Sequence, residues 1–396
     1  AYSYDANSNL LSETKGAVKT DYSYNQGGQL TDKVNKKTAD NSIISDYDYT
    51  YYLDGNIKSE NTRTFTYDNA GRLKQEQNGA ESITYSYDKL GNRAAMNKNG
   101  AVTNYTYDQN NRLLQEVTGD QYTFYHYDDR GNLYSKRTDE RSTAGDLTRV
   151  DTFGALKHDV NSTVELYSYD GFNRMTEARK GAMTAQYQYN AEGIRTSKTV
   201  NGVRTDFLLD GANVIAETKN GTTTNYIRGA SGIISSSVFG SNSLTKYYTS
   251  DGHGNITNLT NSSGDVVKTY VYDAFGVEQN MDPNDLNPFR YCGEYYDSEI
   301  SQIYLRARYY NPSLGRFTQS DPAMADGMNW YVYCGNEPLN LWDSTGKTEE
   351  DKYRYGEDST MYKALAILGD AWQLFSEFRD DIANLASQLR TIGDAY

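Results

Sequence analysis

The chain has 396 residues, 53 acidic and 39 basic side chains, and a formal net charge of −14. Tyrosine supplies 38 residues against 11 Phe and 5 Pro, a set of strand-favouring rings with polar tips that excludes helical bundles, collagen-like chains and disordered tails. No run approaches the ~18 apolar residues of a membrane span, and the acid excess makes nucleic acid a poor partner for the surface.

The chain opens on Ala1-Tyr2-Ser3-Tyr4-Asp5, which reads as the inside of a repeat, so the sequence is expected to be a piece of something longer. The unit recurs as Phe65-Thr66-Tyr67-Asp68 leading through Gly71 to Leu73, and as Tyr105-Thr106-Tyr107-Asp108 leading through Asn111 to Leu113. Anchor tyrosines at 67, 87, 107 and 127 are spaced by 20 residues, and the spacing returns from Tyr169 to Tyr189 and to the decayed Leu209. Fixed periods of this size mean stacked supersecondary units. Tyr-x-Tyr puts two rings on one face of a strand. The Asp or Asn that follows starts a turn, and Gly or Asn supplies its left-handed residue. One unit is therefore two short strands and two turns. A lone hairpin cannot bury its face, so the units pair edge to edge into a long spiralling sheet.

This pattern resembles the YD-repeat (Rhs) family, which includes bacterial polymorphic toxins, the C components of insecticidal toxin complexes and the shells of teneurins. The resemblance covers residues 1 to about 347. It implies an all-β fold, in which a spiralling β-sheet shell, or cocoon, is closed by an Rhs core and encloses a C-terminal toxin. The expected divisions are a repeat shell over 1–246, the Rhs-associated core over 247–347 and a helical tail over 348–396. The core is carried by an ordered string: Asp251-Gly-His253-Gly-Asn255, Tyr270-Val-Tyr272-Asp273, Tyr304-Leu305-Arg306-Ala307-Arg308-Tyr309-Tyr310-Asn311-Pro312, Gly315-Arg316-Phe317, Asp321-Pro322 and Asp343-Ser344-Thr345-Gly346.

Strand alternation places Arg306 and Arg308 on one face of one strand, with Asp297, Asp321 and Asp343 as available partners. With Tyr309 and Tyr310 they are expected to form the structural core. In the family two Asp residues of the core act as an aspartyl self-protease that cuts just after it. Carried over, this makes Asp321 and Asp343 the acid–base pair, with Arg316 orienting one carboxylate, and puts the cut between Lys347 and Thr348. Two carboxylates that share one proton can divide the work, one activating water and the other protonating the leaving amide. The sequence departs from the family's usual Asp-Pro-x-Gly, since Ser344 stands where Pro is usual.

His126, His158 and His253 have no second ligand at metal spacing, and Asp282-Pro283-Asn284-Asp285 reads as Asx turns, so no metal and no cofactor is expected. Cys292 and Cys334 exclude a disulfide-dense scaffold; they read as two small buried side chains in β context, with a single bridge between them as the alternative. After a polar stretch over 348–358, the apolar positions Met361, Leu365, Leu368, Trp372, Phe375, Phe378, Ile382, Leu385, Leu389 and Ile392 describe one helix face. That face needs a partner, and the Tyr-lined inner wall of the shell is the expected one. The leading expectation is a secreted or cell-surface bacterial shell, holding its own C-terminal effector for delivery machinery or a target cell. The alternative is an adhesion or glycan-binding repeat protein with the core as a structural cap.

Overall fold

The structure, a computed structural model, describes residues 1–140, 162–229, 232–279, 281–322, 328–348 and 350–351. The expected tail helix and its place in the shell fall in 352–396, outside the described residues, as does His158.

Among the described residues, one antiparallel sheet of 25 strands runs from Tyr2–Tyr4 to Val266–Thr269, with successive strands paired as neighbours. The spiralling repeat sheet is thus present, and it runs on past residue 246 through Ile256–Thr260 to Thr269. Strand Ala101–Tyr107 shows why: Thr103 and Tyr105 are buried while their neighbours are not, the alternation that the pleat imposes.

The turn of each unit is built by its Asp. The Asp68 carboxylate accepts the backbone N–H groups of Ala70 (2.9 Å) and Arg72 (3.1 Å), and Gly71 sits at φ +78°. The same geometry returns at Asp88, Asp108, Asp128 and Asp170. Ladder register slips at the anchor tyrosine, as between Thr66 and Tyr67 and between Thr106 and Tyr107. Such bulges add right-handed twist, and their repetition coils the sheet.

Tyrosine outnumbers phenylalanine because its hydroxyl is used. Tyr87, Tyr107 and Tyr189 each donate to a main-chain carbonyl 14 residues earlier, those of Leu73, Arg93 and Met175, at 2.7–2.9 Å. The inner ring of a pair instead donates to a glutamate nine residues back, as Tyr125 does to Glu116 (2.7 Å). Each hydroxyl therefore ties one unit to the last.

The coil returns on itself. Lys33 donates to the Ser250 hydroxyl and the Asp251 carbonyl (both 2.8 Å), and Lys37 pairs with Asp265 (2.6 Å). Gly16 lies against the ring of Tyr247, where a side chain would collide.

The chain then fills the inside of its own coil. Phe275 and Leu339 join Leu30, Phe65 and Tyr85 in one apolar cluster; Tyr304, Tyr309 and Leu314 join Tyr105, Tyr125 and Tyr187 in another. A third brings Phe289, Tyr310 and Tyr333 against Phe207 and Tyr226. Much of the Tyr-lined wall expected to receive the tail is thus occupied by residues 274–339. This inner segment carries a four-stranded sheet, Tyr295–Asp297, Gln302–Leu305, Arg308–Asn311 and Arg316–Phe317.

Candidate active site

Arg306 and Arg308 do not share a strand face. Leu305 pairs with Arg308 across a two-residue hairpin, and Arg306 occupies its turn at φ +61°. Two-residue hairpins demand a left-handed turn residue, and alternation stops where the chain reverses. Arg306 turns outward to pair with Glu294 and to donate to the Ser344 carbonyl (2.7 Å).

Arg308 points inward and is 1% exposed. Its guanidinium stands 3.8 Å from Asp321 Oδ2 and 3.5 Å from Asp343 Oδ2. Nε donates to the Gly346 carbonyl (2.5 Å), one terminal nitrogen donates to the Trp330 carbonyl (3.2 Å), and the group lies 3.5 Å from the centre of the Phe317 ring. One planar cation with a fork of donors is suited to hold two carboxylates and a carbonyl together.

Asp321 is positioned by the shell. Its N–H donates to the Trp330 carbonyl (3.0 Å), while the preceding Ser320 N–H donates to Gly131 in the turn that Asp128 builds. The Tyr331 hydroxyl donates to the same Gly131 carbonyl (2.9 Å). Asp343 is positioned by the hairpin Leu341–Trp342/Glu350–Asp351, whose connecting loop contains the expected cut. Residues 350–351, expected within a polar linker, are therefore strand. Asp343 Oδ1 accepts the N–H groups of Thr345 (3.0 Å), Gly346 (2.7 Å) and Lys347 (3.3 Å). Burial raises the Asp343 carboxyl above its ordinary range, against the pull of Arg308 and of those N–H groups.

The loop's carbonyls are held just as closely. Ser344 is held by Arg306, Thr345 by the Ala307 N–H (3.1 Å) and Gly346 by Arg308. Gly346 has φ +68°, and a Cβ there would collide with the Leu305 carbonyl and with the Arg308 nitrogen at 2.8 Å. Ser344 departs from the family's Pro, yet its carbonyl is clamped by Arg306. Lys347 and Thr348 border a cavity of about 1150 Å3 that is open to the outside, with Phe172, Ile194, Arg228 and Trp342 on its walls.

Arg316 is not beside either carboxylate. It lies between the rings of Tyr107 (4.9 Å) and Tyr331 (5.1 Å) and donates to the Asn111 carbonyl (2.5 Å). It joins core to shell, and Arg308 occupies the position expected of it. The fork of Arg308 was legible only to a reading that saw Leu305–Arg308 as a hairpin. Asp297, an expected partner of Arg306 or Arg308, instead takes both terminal nitrogens of Arg195 (2.5 and 3.1 Å) and Lys198 (2.9 Å). Tyr309 accepts from Arg195 (3.0 Å), and Tyr310 donates to Phe275 (2.7 Å) while stacking on Tyr333 at 3.9 Å. Cys292 and Cys334 are buried and are not joined by a disulfide. Asp32, Asp46 and Asp48 bring three carboxylates together, two of them exposed.

A repeat sheet coiled about the described residues that follow it, between 274 and 339, defines a YD-repeat shell. Residues 94–338 match the family model of the teneurin YD-shell, and the chain belongs to that family. It is 35% identical over 195 residues to the tRNA3(Ser)-specific nuclease WapA of Bacillus spizizenii, covering 46% of this chain and 8% of that protein. It is 42% identical over 60 residues to the toxin protein Tse5 of Pseudomonas aeruginosa, covering 15% of this chain and 5% of that protein. With these relatives it is a YD-repeat protein of the Rhs type. The fold is shared with the Photorhabdus luminescens Tc holotoxin pore, at 18% identity and a TM-score of 0.59, over 90% of this chain and 19% of that one. A TcdB2–TccC3–TEV structure gives a TM-score of 0.59 at 19% identity, over 87% of this chain and 19% of that one. The chain thus spans a small part of the proteins it matches.

Proposed function

We propose that the chain is the closing part of a secreted, toxin-associated shell that cuts itself between Lys347 and Thr348 and so frees the segment that follows. The observation that carries this reading is Arg308, whose one guanidinium reaches Asp321, Asp343 and the main chain one residue before the cut. Asp343, the carboxyl that burial raises, is assigned as the acid that protonates the leaving amide. Asp321 takes the proton of a water that attacks the Lys347 carbonyl. Arg308 is the positioning residue, holding the loop at the Gly346 carbonyl, one residue before the bond to be cut. The freed segment begins at Thr348, at the edge of the cavity, and is the effector that delivery machinery would carry onward.

Asp321→Asn and Asp343→Asn test this, since each removes a proton-transfer group with little change of shape. Both variants should stay in one piece, with unchanged circular dichroism, while the parent chain separates into two polypeptides. A parent that stays whole under native conditions, or variants that still separate, would remove the protease assignment.

A further inference from the structure

The self-cleavage site leaves unused a buried nucleophile on the same cavity. Cys292, on the inner segment, and His253, in the sheet turn that precedes strand Ile256–Thr260, are 6% and 5% exposed, with Cys292 Sγ 3.4 Å from His253 Nδ1. The other ring nitrogen, Nε2, is 3.2 Å from the Leu341 carbonyl oxygen. A carbonyl only accepts, so Nε2 carries the hydrogen and, in the neutral ring, Nδ1 presents its lone pair to the thiol. This is the arrangement of an activated thiol: a base in reach of the nucleophile, oriented in turn by a third group. The ring is fixed further by Tyr291, 5.8 Å away between centres. Cys292 itself is held at φ +53° by a hydrogen bond from its N–H to Asn255 Oδ1 (2.9 Å). Cys292 also borders the 1150 Å3 cavity.

We propose that Cys292, with His253 as its base, is a modification site for a small hydroperoxide that enters the cavity. His253 Nδ1 takes the thiol proton, and the thiolate sulfur attacks the peroxide, forming an S–O bond as the O–O bond breaks. The imidazolium returns the proton to the departing oxygen, giving an alcohol or water. Sulfur is oxidised to the sulfenic acid, and the peroxide is reduced.

The test uses the full folded chain, treated with hydrogen peroxide and dimedone and analysed by peptide mass spectrometry. Cys292 should carry the sulfenic adduct, and His253→Gln should slow its formation about 100-fold, the lower end of general-base effects. Iodoacetamide labelling of the unaltered chain gives a second reading that needs no variant, and Cys292 should be alkylated before Cys334. Labelling of Cys334 first, or an adduct on Cys292 only after unfolding in urea, would overturn the proposal. So would a His253→Gln chain that reacts at the parent's rate.

Discussion

The carboxylate of Asp343 accepts the backbone N–H of Gly346 at 2.7 Å, so the residue read as an acid also shapes the loop expected to be cut. Gly346 completes that loop at φ +68°, pressed on the Leu305 carbonyl. Gly346→Ala should therefore strain the loop by about 1–3 kcal/mol. Cleavage, followed as loss of the intact chain on a gel, should slow by ten-fold or more, while the thermal midpoint of the sheet hardly moves. An alanine chain that separates as fast as the parent would detach the loop geometry from the chemistry.

Arg308 and Arg316 should part company in the same assay. Arg308→Met leaves Asp321 and Asp343 buried without their shared cation, which costs about 3 kcal/mol by the usual penalty for breaking a buried pair, and cleavage should stop. Arg316→Met removes a contact between two tyrosine rings. It should lower thermal stability, yet leave the cleavage products unchanged.

The repeat predicts its own weak points. Tyr107→Phe removes the hydroxyl that donates to the Arg93 carbonyl (2.9 Å) and leaves that carbonyl short of a partner. The expected loss is about 1 kcal/mol, read by chemical denaturation with an unchanged slope. A loss near zero would mean that the hydroxyl ties between units are incidental.

Burial, reinforced by the charge of Glu76, pushes the Asp273 carboxyl up from 3.8 to about 6. The folded chain then binds this proton more tightly than the unfolded chain. The contribution to stability is complete below about pH 4 and is lost as pH rises through about 6. Its size is on the order of 2 kcal/mol, since the half-buried group keeps some contact with water. Asp273→Asn retains the acceptor for the Phe275 and Val277 N–H groups. The variant's melting temperature should therefore gain on the parent's between pH 4 and pH 7, and a constant difference would contradict this.

Burial, together with the charges of Asp46 and Asp48, raises the Asp32 carboxyl. Asp46→Asn should relieve like-charge repulsion and stabilise the sheet by about 0.5 kcal/mol at pH 7, with the gain gone at pH 3. Thermal melts at the two pH values check it.

The shell was legible because its unit repeats: Asp68, Gly71 and Leu73 each have one local job, and the jobs recur every 20 residues. The site was legible only in part. Asp321 and Asp343 stand out by their motifs, but their common partner depends on a hairpin between Leu305 and Arg308 that is hidden in an aromatic run reading as one strand. Arg316 and Arg308 look alike in sequence. Which of them faces the carboxylates is decided by contacts with Asn111 and Gly346, some 205 residues and 38 residues away. No local pattern carries such distances. Likewise the occupant of the Tyr-lined wall is the chain's own core, because Tyr309 and Phe275 meet rings from strands far apart in sequence.

The measurement that bears most directly on the central claim is the intact mass of the purified, folded chain under native conditions. The account predicts two masses that sum to the parent plus one water, corresponding to residues 1–347 and to a fragment beginning at Thr348. A single mass for the whole 396 residues, or a cut at any other bond that persists in Asp343→Asn, would contradict it.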